Sequence, residues 1–255
     1  MTMANNANIN RNLAAALNRV IFAQLLGVKP DPWQENVLRS DSKRIILNCA
    51  RQSGKSTITA ILALHLALYV SDSLVLIVSP SLRQSSEMFT KIIGFYHDLD
   101  KPIPAEKETA LTLQLANKSR IVSLPSREGT VRGFSGASLI VIDEAAWVPD
   151  DLYFAVRPML TISQGRLILL STPHGREGFF YEAWTKEKGW GKIKISADQC
   201  PRMTPEVIEA EKASMPSWRF RQEYQNSFEA GGEPLINPDS IEKAFVDRPG
   251  RDLDF

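Results

Sequence analysis

The stretch that decides the fold of this chain is Cys49-Ala50-Arg51-Gln52-Ser53-Gly54-Lys55-Ser56. It follows an apolar run, Ile45–Asn48, that predicts a buried strand, and it precedes residues 57–69, which predict a helix. Strand, tight loop and helix together form a phosphate cradle, because the loop N–H groups and the positive end of the helix dipole point at the phosphates. Lys55 supplies a mobile cation, and the Ser56 hydroxyl is placed to ligate Mg²⁺.

The loop departs from the usual phosphate-loop pattern at its first position, where Cys49 stands in place of glycine. One interpretation is therefore a chance Gly-Lys-Ser at the start of a helix. The strand before the loop and the helix after it favour a phosphate loop, which requires that context. The residues expected to hold the nucleotide from this segment are Arg51, Gln52, Ser53, Gly54, Lys55, Ser56 and Thr57.

A second apolar run, Leu139–Ile142, ends in Asp143 and Glu144 and predicts a central strand buried on both faces. Beside a phosphate loop, Asp143 is expected to hold the Mg²⁺ shell and Glu144 to take a proton from the attacking water. The alternative is a buried strand that merely stops at a polar turn. Such a chance match is common for a single motif but rare for two motifs in one chain, so nucleotide hydrolysis is the leading prediction.

Composition limits the other possibilities. The 255 residues can bury the core of one large α/β domain, alone or with a small appendage. A net charge of +1 gives no global basic field that would indicate nucleic acid. Two cysteines without a paired spacing indicate a reducing compartment. The longest apolar stretch, Ile58–Val70, is too short to span a bilayer and the start lacks a signal-peptide core, so we expect an intracellular protein without a membrane segment.

Strand and helix patterns alternate along most of the chain. The predicted helices are residues 10–26, a short one ending near 39, 55–69, 82–98, 151–160, 205–214 and 217–228; the predicted strands are 45–49, 74–79, a hairpin of 111–115 and 120–124, 139–143, 166–171 and 192–196. This alternation predicts an α/β fold with a mostly parallel central sheet and helices on both faces. We expect an N-terminal helical segment (1–29), the core (30–200), a small helical subdomain (201–230) and a linker tail (231–255).

Two further motifs accompany the loop and the acidic strand. Ser171-Thr172-Pro173 ends the strand after the acidic one, where helicase-like ATPases sense the γ-phosphate and relay its loss. An ordinary Ser/Thr turn fixed by a proline is the alternative for this motif. Gln34, in a Pro-Trp-Gln sequence before the loop, is suited to a bidentate amide contact with the adenine edge.

Taken in order, these motifs resemble the ATPase domain of tailed-bacteriophage large terminases, the motors that package DNA into procapsids. That family has Arg-Gln-x-Gly-Lys-Ser/Thr in place of the full loop, as residues 51–56 have here. Its acidic element is matched by residues 141–146 and its coupling motif by residues 171–173, and the resemblance extends from about Pro30 to Phe228. It implies a RecA-like P-loop NTPase of the additional-strand, catalytic-glutamate class.

The resemblance also implies cofactors and partners. ATP and Mg²⁺ would be bound, and double-stranded DNA, the portal protein and the terminase small subunit would be contacted in the cytoplasm of the bacterial host. We expect a monomer in isolation and a ring of five subunits when transiently docked on the procapsid portal. Large terminases usually continue into a nuclease domain, and the residues after 230 are too few to make one, so no nuclease activity is expected from this chain.

Two arginines are candidates for contacting the γ-phosphate. Arg51 lies inside the loop and is placed to act in cis, with a surface ion pair to a nearby carboxylate as the alternative. Arg132 lies in a polar stretch before the acidic strand and is expected to complete a neighbouring subunit's site, with Arg127 as second choice. A later group of cations predicts either DNA contacts or a solvated face: Lys186, Lys188, Lys192, Lys194, Arg202, Arg219 and Arg221.

Two other functions stay open at this point. A superfamily 2 helicase or translocase has similar motifs at Gln34, Asp143-Glu144-Ala145 and Ser171-Thr172-Pro173, but it needs a second RecA-like domain, for which the residues after 230 leave no room. A nucleotide-gated binding module with negligible turnover is the other alternative. A glutamate directly after the aspartate argues against that module, because it places a base beside the metal ligand.

Overall fold

The computed structural model describes residues 12–125, 131 and 133–229, which contain one eight-stranded sheet with helices on both faces. The strands are β1 (Arg44–Cys49), β2 (Leu74–Ser79), β3 (Ala105–Glu108), β4 (Thr112–Leu115), β5 (Arg120–Pro125), β6 (Leu139–Asp143), β7 (Arg166–Ser171) and β8 (Gly191–Ile195). The α-helices are α1 (Arg19–Leu25), α2 (Pro32–Arg39), α3 (Lys55–Tyr69), α4 (Leu82–Asp98), α5 (Asp150–Val156), α6 (Gly178–Thr185), α7 (Pro205–Ser214) and α8 (Ser217–Tyr224). Residues 12–17 are also helical.

The sheet has the strand order β3-β4-β5-β2-β6-β7-β1-β8 and is parallel from β5 to β8. Only the β3–β4 and β4–β5 pairs, at one edge, are antiparallel among the described strands. Strands β2 and β6 are buried along their whole length, as their Val, Ile and Leu content requires of strands covered on both faces. Strand β7 lies between β1 and β6, so the additional strand of the expected class is confirmed.

Each face of the sheet carries its own apolar core, because successive side chains of a strand point to opposite faces. Ile45 and Leu47 of β1 pack in the core formed with α1, α3 and α4, whereas Ile46 packs in the core formed with α5 and α6. A third, smaller cluster of Ala50, Ala197, Phe220 and Tyr224 joins α8 to the loop after β1. None of the described helices is both long and apolar enough to cross a membrane.

The helix predicted over residues 10–26 is interrupted at Asn18. The Asn18 side chain accepts hydrogen bonds from the N–H groups of Val20 and Ile21, and this cap starts a new helix, α1. Gly27 follows the end of α1 with φ of 73°, in the left-handed region that a helix-terminating glycine adopts. The predicted helix end near residue 26 therefore agrees with the structure, whereas the prediction of one continuous helix from residue 10 was wrong.

Other differences have local causes. The helix predicted over residues 151–160 becomes α5 followed by a 3₁₀ turn, Arg157–Leu160, which contains Pro158 and so lacks an amide donor there. The last predicted helix ends at Tyr224, four residues early, and Asn226 adopts φ of 57°. The structure adds β3 and α6, which the sequence did not predict. Of the predicted segments, the tail 231–255 lies outside the described residues, and the domain boundaries stay predictions.

Candidate nucleotide-binding and hydrolysis site

The phosphate loop connects the end of β1 to the start of α3, as predicted. Gly54 precedes the helix with φ of 89°, a conformation that favours glycine. A Cβ atom at Gly54 would lie 2.7 Å from Nε2 of Gln34, so a larger residue there would displace this amide from the Ser53 carbonyl. Ser56 and Thr57 lie in the first turn of α3, and Gln52 adopts φ of 57° within the loop.

Two side chains from outside the loop hold the carbonyl oxygen of Ser53. Gln34 Nε2 donates to it at 3.3 Å and Arg202 donates to it at 2.7 Å. Arg202 also pairs with Asp31 at 2.9 Å, and the Asp31 N–H donates to Gln34 Oε1 at 2.9 Å. The amide of Gln34 is 3% exposed and engaged at both ends, so the predicted adenine contact, which stays a prediction, requires these bonds to be exchanged.

The predicted carboxylates lie at the end of β6, facing the loop. Lys55 Nζ lies 3.5 Å from Glu144 Oε1, and the Ser171 hydroxyl donates to Glu144 Oε2 at 3.3 Å. Glu144 has φ of 47° and ψ of 47°, a left-handed conformation that costs a residue with a Cβ about 1–2 kcal/mol. Its N–H donates to Asp143 Oδ1 at 3.0 Å. The structure therefore brings together the lysine, both carboxylates and the first residue of the coupling motif.

Electrostatics at this strand end favour a bound cation. Burial, reinforced by the neighbouring Glu144 charge and opposed by Lys55, raises the pKa of Asp143 to about 7. A divalent ion would relieve this penalty, because it compensates the buried negative charge. The Ser56 hydroxyl makes no hydrogen bond to any residue that the structure describes, so it is free to act as a ligand. The donor set of Ser56, Asp143 and phosphate oxygens suits Mg²⁺, which prefers oxygen ligands.

A cavity of about 540 Å³ opens in front of the loop, within the size range of small-molecule sites. Its lining contains residues of the loop, of α4, of the acidic strand end and the turn after it, and of the coupling motif: Arg51, Gln52, Lys55, Gln84, Glu144, Trp147 and Thr172. Thr172 comes from the coupling motif, whose Ser171 already contacts Glu144, and Pro173 follows directly. The parallel sheet places the carboxyl ends of β1, β6 and β7 at one edge, and motifs that are far apart in the sequence therefore lie together in the fold.

The Arg51 guanidinium is held by a carboxylate of α8 in this structure. It pairs with Glu223 of α8 through Nε at 2.7 Å and NH2 at 3.2 Å, and the Arg51 N–H donates to the Glu223 carbonyl at 3.3 Å. Arg51 is 60% exposed and Glu223 only 8%. Of the two roles that the sequence allowed, the surface ion pair is the one observed. Arg132 and Arg127 lie outside the described residues.

A pair of asparagines makes a second contact between the loop strand and the residues after α8. Asn226 Nδ2 donates to the carbonyls of Asn48 at 2.6 Å and Ile195 at 2.7 Å, and Asn48 Nδ2 donates to the Asn226 carbonyl at 3.3 Å. Both side chains are buried. No local pattern in the sequence signals the contacts that Asn48, Glu223 and Arg202 make here, because their partners lie more than 100 residues away.

Comparison with known families agrees with this geometry. The sequence profile described as "Terminase large subunit, T4likevirus-type, N-terminal" matches residues 46–242, more than half of the chain. The chain belongs to this terminase family. The terminase large subunit of Thermus virus P23-45 is 28% identical to it, over 80% of this chain and 46% of that protein. The chain thus spans about half the length of the curated relatives it matches.

Solved structures confirm the fold of this terminase chain. A mutant of the large terminase ATPase domain from Thermus phage P74-26 superposes with a TM-score of 0.74 at 21% identity, covering 82% of this chain and 98% of that domain. The large terminase of a thermophilic bacteriophage, in complex with ADP, gives a TM-score of 0.60 at 12% identity, over 80% of this chain and 52% of that one. The expected RecA-like P-loop fold is therefore confirmed.

Proposed function

We propose that this terminase chain is the ATP-hydrolysing motor of viral DNA packaging and translocates double-stranded DNA into a procapsid. The observation that carries the proposal is the placement of Lys55 and Ser171 on the two oxygens of Glu144, beside Asp143 and in front of the phosphate loop. Membership of the terminase large-subunit family, and the ADP bound by the large terminase of a thermophilic bacteriophage, support it.

Each residue of the site has a role in this proposal. The loop from Arg51 to Ser53, with Gly54, Lys55 and Thr57, would bind the phosphates of ATP, and Ser56 and Asp143 would hold Mg²⁺. Mg²⁺ held by these two residues would supply positive charge against the negative charge that develops on phosphoryl transfer. Glu144, oriented by Ser171, would accept a proton from the attacking water. Lys55 must leave Glu144 to reach a phosphate, which frees that carboxylate for the water.

Positive charge on the transferred phosphoryl group is proposed to come from arginine. Arg51 would act in cis, and for this its guanidinium must exchange Glu223 for the γ-phosphate. Arg132 would act in trans on a neighbouring site, a contribution worth about 10³–10⁵ in rate in comparable systems. Ser171, Thr172 and Pro173 would relay loss of the γ-phosphate to the DNA site.

The partners follow from the proposed packaging role. Double-stranded DNA is the translocated substrate, and the portal protein and terminase small subunit are the proposed protein partners in the host cytoplasm. The isolated chain would be a monomer with weak ATPase activity, and a ring of five subunits would form on the portal. Gln34 would contact adenine once its amide is released from Ser53 and Asp31.

A phosphate-release assay with and without duplex DNA tests the proposal. We expect Mg²⁺-dependent ATP hydrolysis by the wild-type chain and none by Glu144→Gln. Unwinding of a forked duplex would instead favour the helicase that the sequence left open. Absence of turnover under every condition, with nucleotide still bound, would favour the binding module.

A further inference from the structure

An exposed aromatic stack stands at the rim of the proposed ATP cavity. The indole of Trp147 and the imidazole of His174 lie with ring centroids 3.6 Å apart and planes at 21°. Trp147 is 50% exposed, yet it lines the same cavity as Lys55 and Glu144. Neither ring has a part in the proposed chemistry of phosphate binding and hydrolysis.

The two rings belong to the two segments that meet at the catalytic carboxylate. Trp147 ends the 3₁₀ turn that starts directly after Glu144, and the Trp147 N–H donates to the Glu144 carbonyl at 2.9 Å. His174 comes directly after Pro173, the last residue of the coupling motif. The stack therefore joins the same two segments as the hydrogen bond between Ser171 and Glu144. That bond is 3.3 Å long and lies at the other end of the coupling motif.

Two other side chains anchor the turn in the core. Ala145, the first residue of the turn, and Val148, directly after it, are buried in the core shared with α5 and α6 and anchor the turn there. The Trp147 side chain, half of whose surface is in solvent, makes its ring contact with His174. The stacking of Trp147 on His174 fixes the distance between the turn and the coupling motif.

We propose that Trp147 and His174 are positioning residues for ATP hydrolysis, which hold Glu144 and the Ser171–Pro173 motif in register across the γ-phosphate side of the cavity. The inference rests on the proposed ATPase function. Glu144 sits at the start of the 3₁₀ turn in a left-handed conformation and its carboxylate is held by one hydroxyl and one lysine, so its position depends largely on what restrains the turn. Misplacement of a catalytic group by about 1 Å costs roughly 100-fold in rate.

Steady-state kinetics with direct nucleotide binding test this positioning role. We expect Trp147→Ala and His174→Ala each to lower kcat by roughly 10- to 100-fold, while the Kd for a non-hydrolysable ATP analogue changes by less than about twofold. The double variant should lose no more than either single one, because the rings act as a unit. Phe154→Ala is the matched control, since Phe154 is an aromatic residue of α5 that is 58% exposed and lies outside the ATP cavity.

Conservative variants separate stacking from proton chemistry. His174→Phe keeps a planar ring without a titratable nitrogen, and Trp147→Phe keeps a smaller ring, so both should recover most of the lost kcat. The emission of Trp147, obtained by subtracting that of Trp147→Phe, gives a readout that does not need turnover. His174→Ala should make this emission more sensitive to acrylamide, because one face of the indole loses its cover.

The outcomes distinguish the two proposals. If Glu144→Gln is inactive while His174→Ala keeps wild-type kcat, the ATPase assignment stands and the positioning role is overturned. Failure of His174→Phe to recover kcat would likewise overturn stacking as the cause. If the wild-type chain does not hydrolyse ATP at all, or if Glu144→Gln keeps full turnover, the proposed function fails and the positioning role fails with it.

Discussion

The ion pair between Arg51 and Glu223 gives a quantitative prediction for Glu223→Gln. The substitution keeps the shape of the side chain but removes its charge and one of the two oxygens that accept from Arg51, because an amide nitrogen donates and does not accept. Because Arg51 is 60% exposed, solvent screens the pair, and its contribution to stability is about 1 kcal/mol at most. The expected fall in Tm is about 2–4 °C for a chain of this size.

Turnover should move in the opposite direction to stability. If Arg51 acts in cis, it must leave Glu223 to reach the γ-phosphate, so part of the barrier is the free energy of that pair. Removing about 1 kcal/mol from a barrier raises a rate about fivefold. We therefore expect the basal kcat of Glu223→Gln to rise by up to about fivefold, whereas Arg51→Ala should lower it.

Glu229→Gln is the matched control for this experiment. Glu229 makes the same two-point ion pair with Arg221 of α8, with contacts of 3.1 and 3.2 Å, and it has no hydrogen bond to the phosphate loop among the described residues. It should lose a similar amount of stability without a change in kcat. Phosphate release measured beside thermal unfolding checks all three variants. A Glu223→Gln enzyme that is destabilised like the control, with kcat unchanged or lowered, would refute the cis role of Arg51.

Three further predictions concern the catalytic pair, a buried thiol and the neighbouring subunit. Glu144→Gln should bind Mg²⁺-ATP normally and lose kcat by at least about 100-fold, whereas Lys55→Ala should lose affinity as well, which calorimetric titration checks. Burial raises the pKa of Cys49 to about 12, above the ordinary value of 9.0, so the thiol stabilises the fold below pH 9 and this contribution is lost as the pH rises towards 12. The Tm should accordingly fall more steeply between pH 9 and 12 in the wild type than in Cys49→Ala. Equal slopes of Tm against pH in the two proteins would contradict the raised pKa of Cys49. Arg132→Ala should bind ATP yet resist stimulation on assembly, and mixing it with Glu144→Gln should restore part of the activity; mixtures as inactive as their components would place the finger in cis.

The elements that the sequence predicted well are those whose pattern is set by burial on two faces. Strands β1, β2, β6 and β7 are continuous apolar runs, and the ends of β1, β6 and β7 carry the loop, the carboxylates and the coupling motif, so motif and topology could be predicted together. β3 was missed because Ala-Glu-Lys-Glu has no apolar alternation and lies at an exposed edge of the sheet. Its strand character comes from pairing with β4, which is a tertiary effect.

The candidate site was predictable only where local chemistry marked it. Lys55 and Glu144 stand in motifs, whereas Glu223 and Arg202 stand in polar sequence with nothing to show that they reach the phosphate loop. The sequence places Arg202 in a group of cations that predicts either DNA contacts or a solvated face, and the structure shows that it also donates to the Ser53 carbonyl. The aromatic contact of Trp147 with His174 was likewise hidden, because it depends on how β6 and β7 end side by side.

The hydrogen bonds of Asn226 with β1 and the ion pair of Glu223 with Arg51 of the phosphate loop have a thermodynamic consequence. If nucleotide binding draws Arg51 away from Glu223, then part of the binding free energy is used in loosening α8 from the loop. Linkage makes this relation reciprocal. A change that detaches α8 from the loop must strengthen nucleotide binding by the same factor, and a change that holds α8 more tightly against the loop must weaken nucleotide binding. A mechanical load on residues 217–226 would therefore change the affinity of the phosphate loop for ATP.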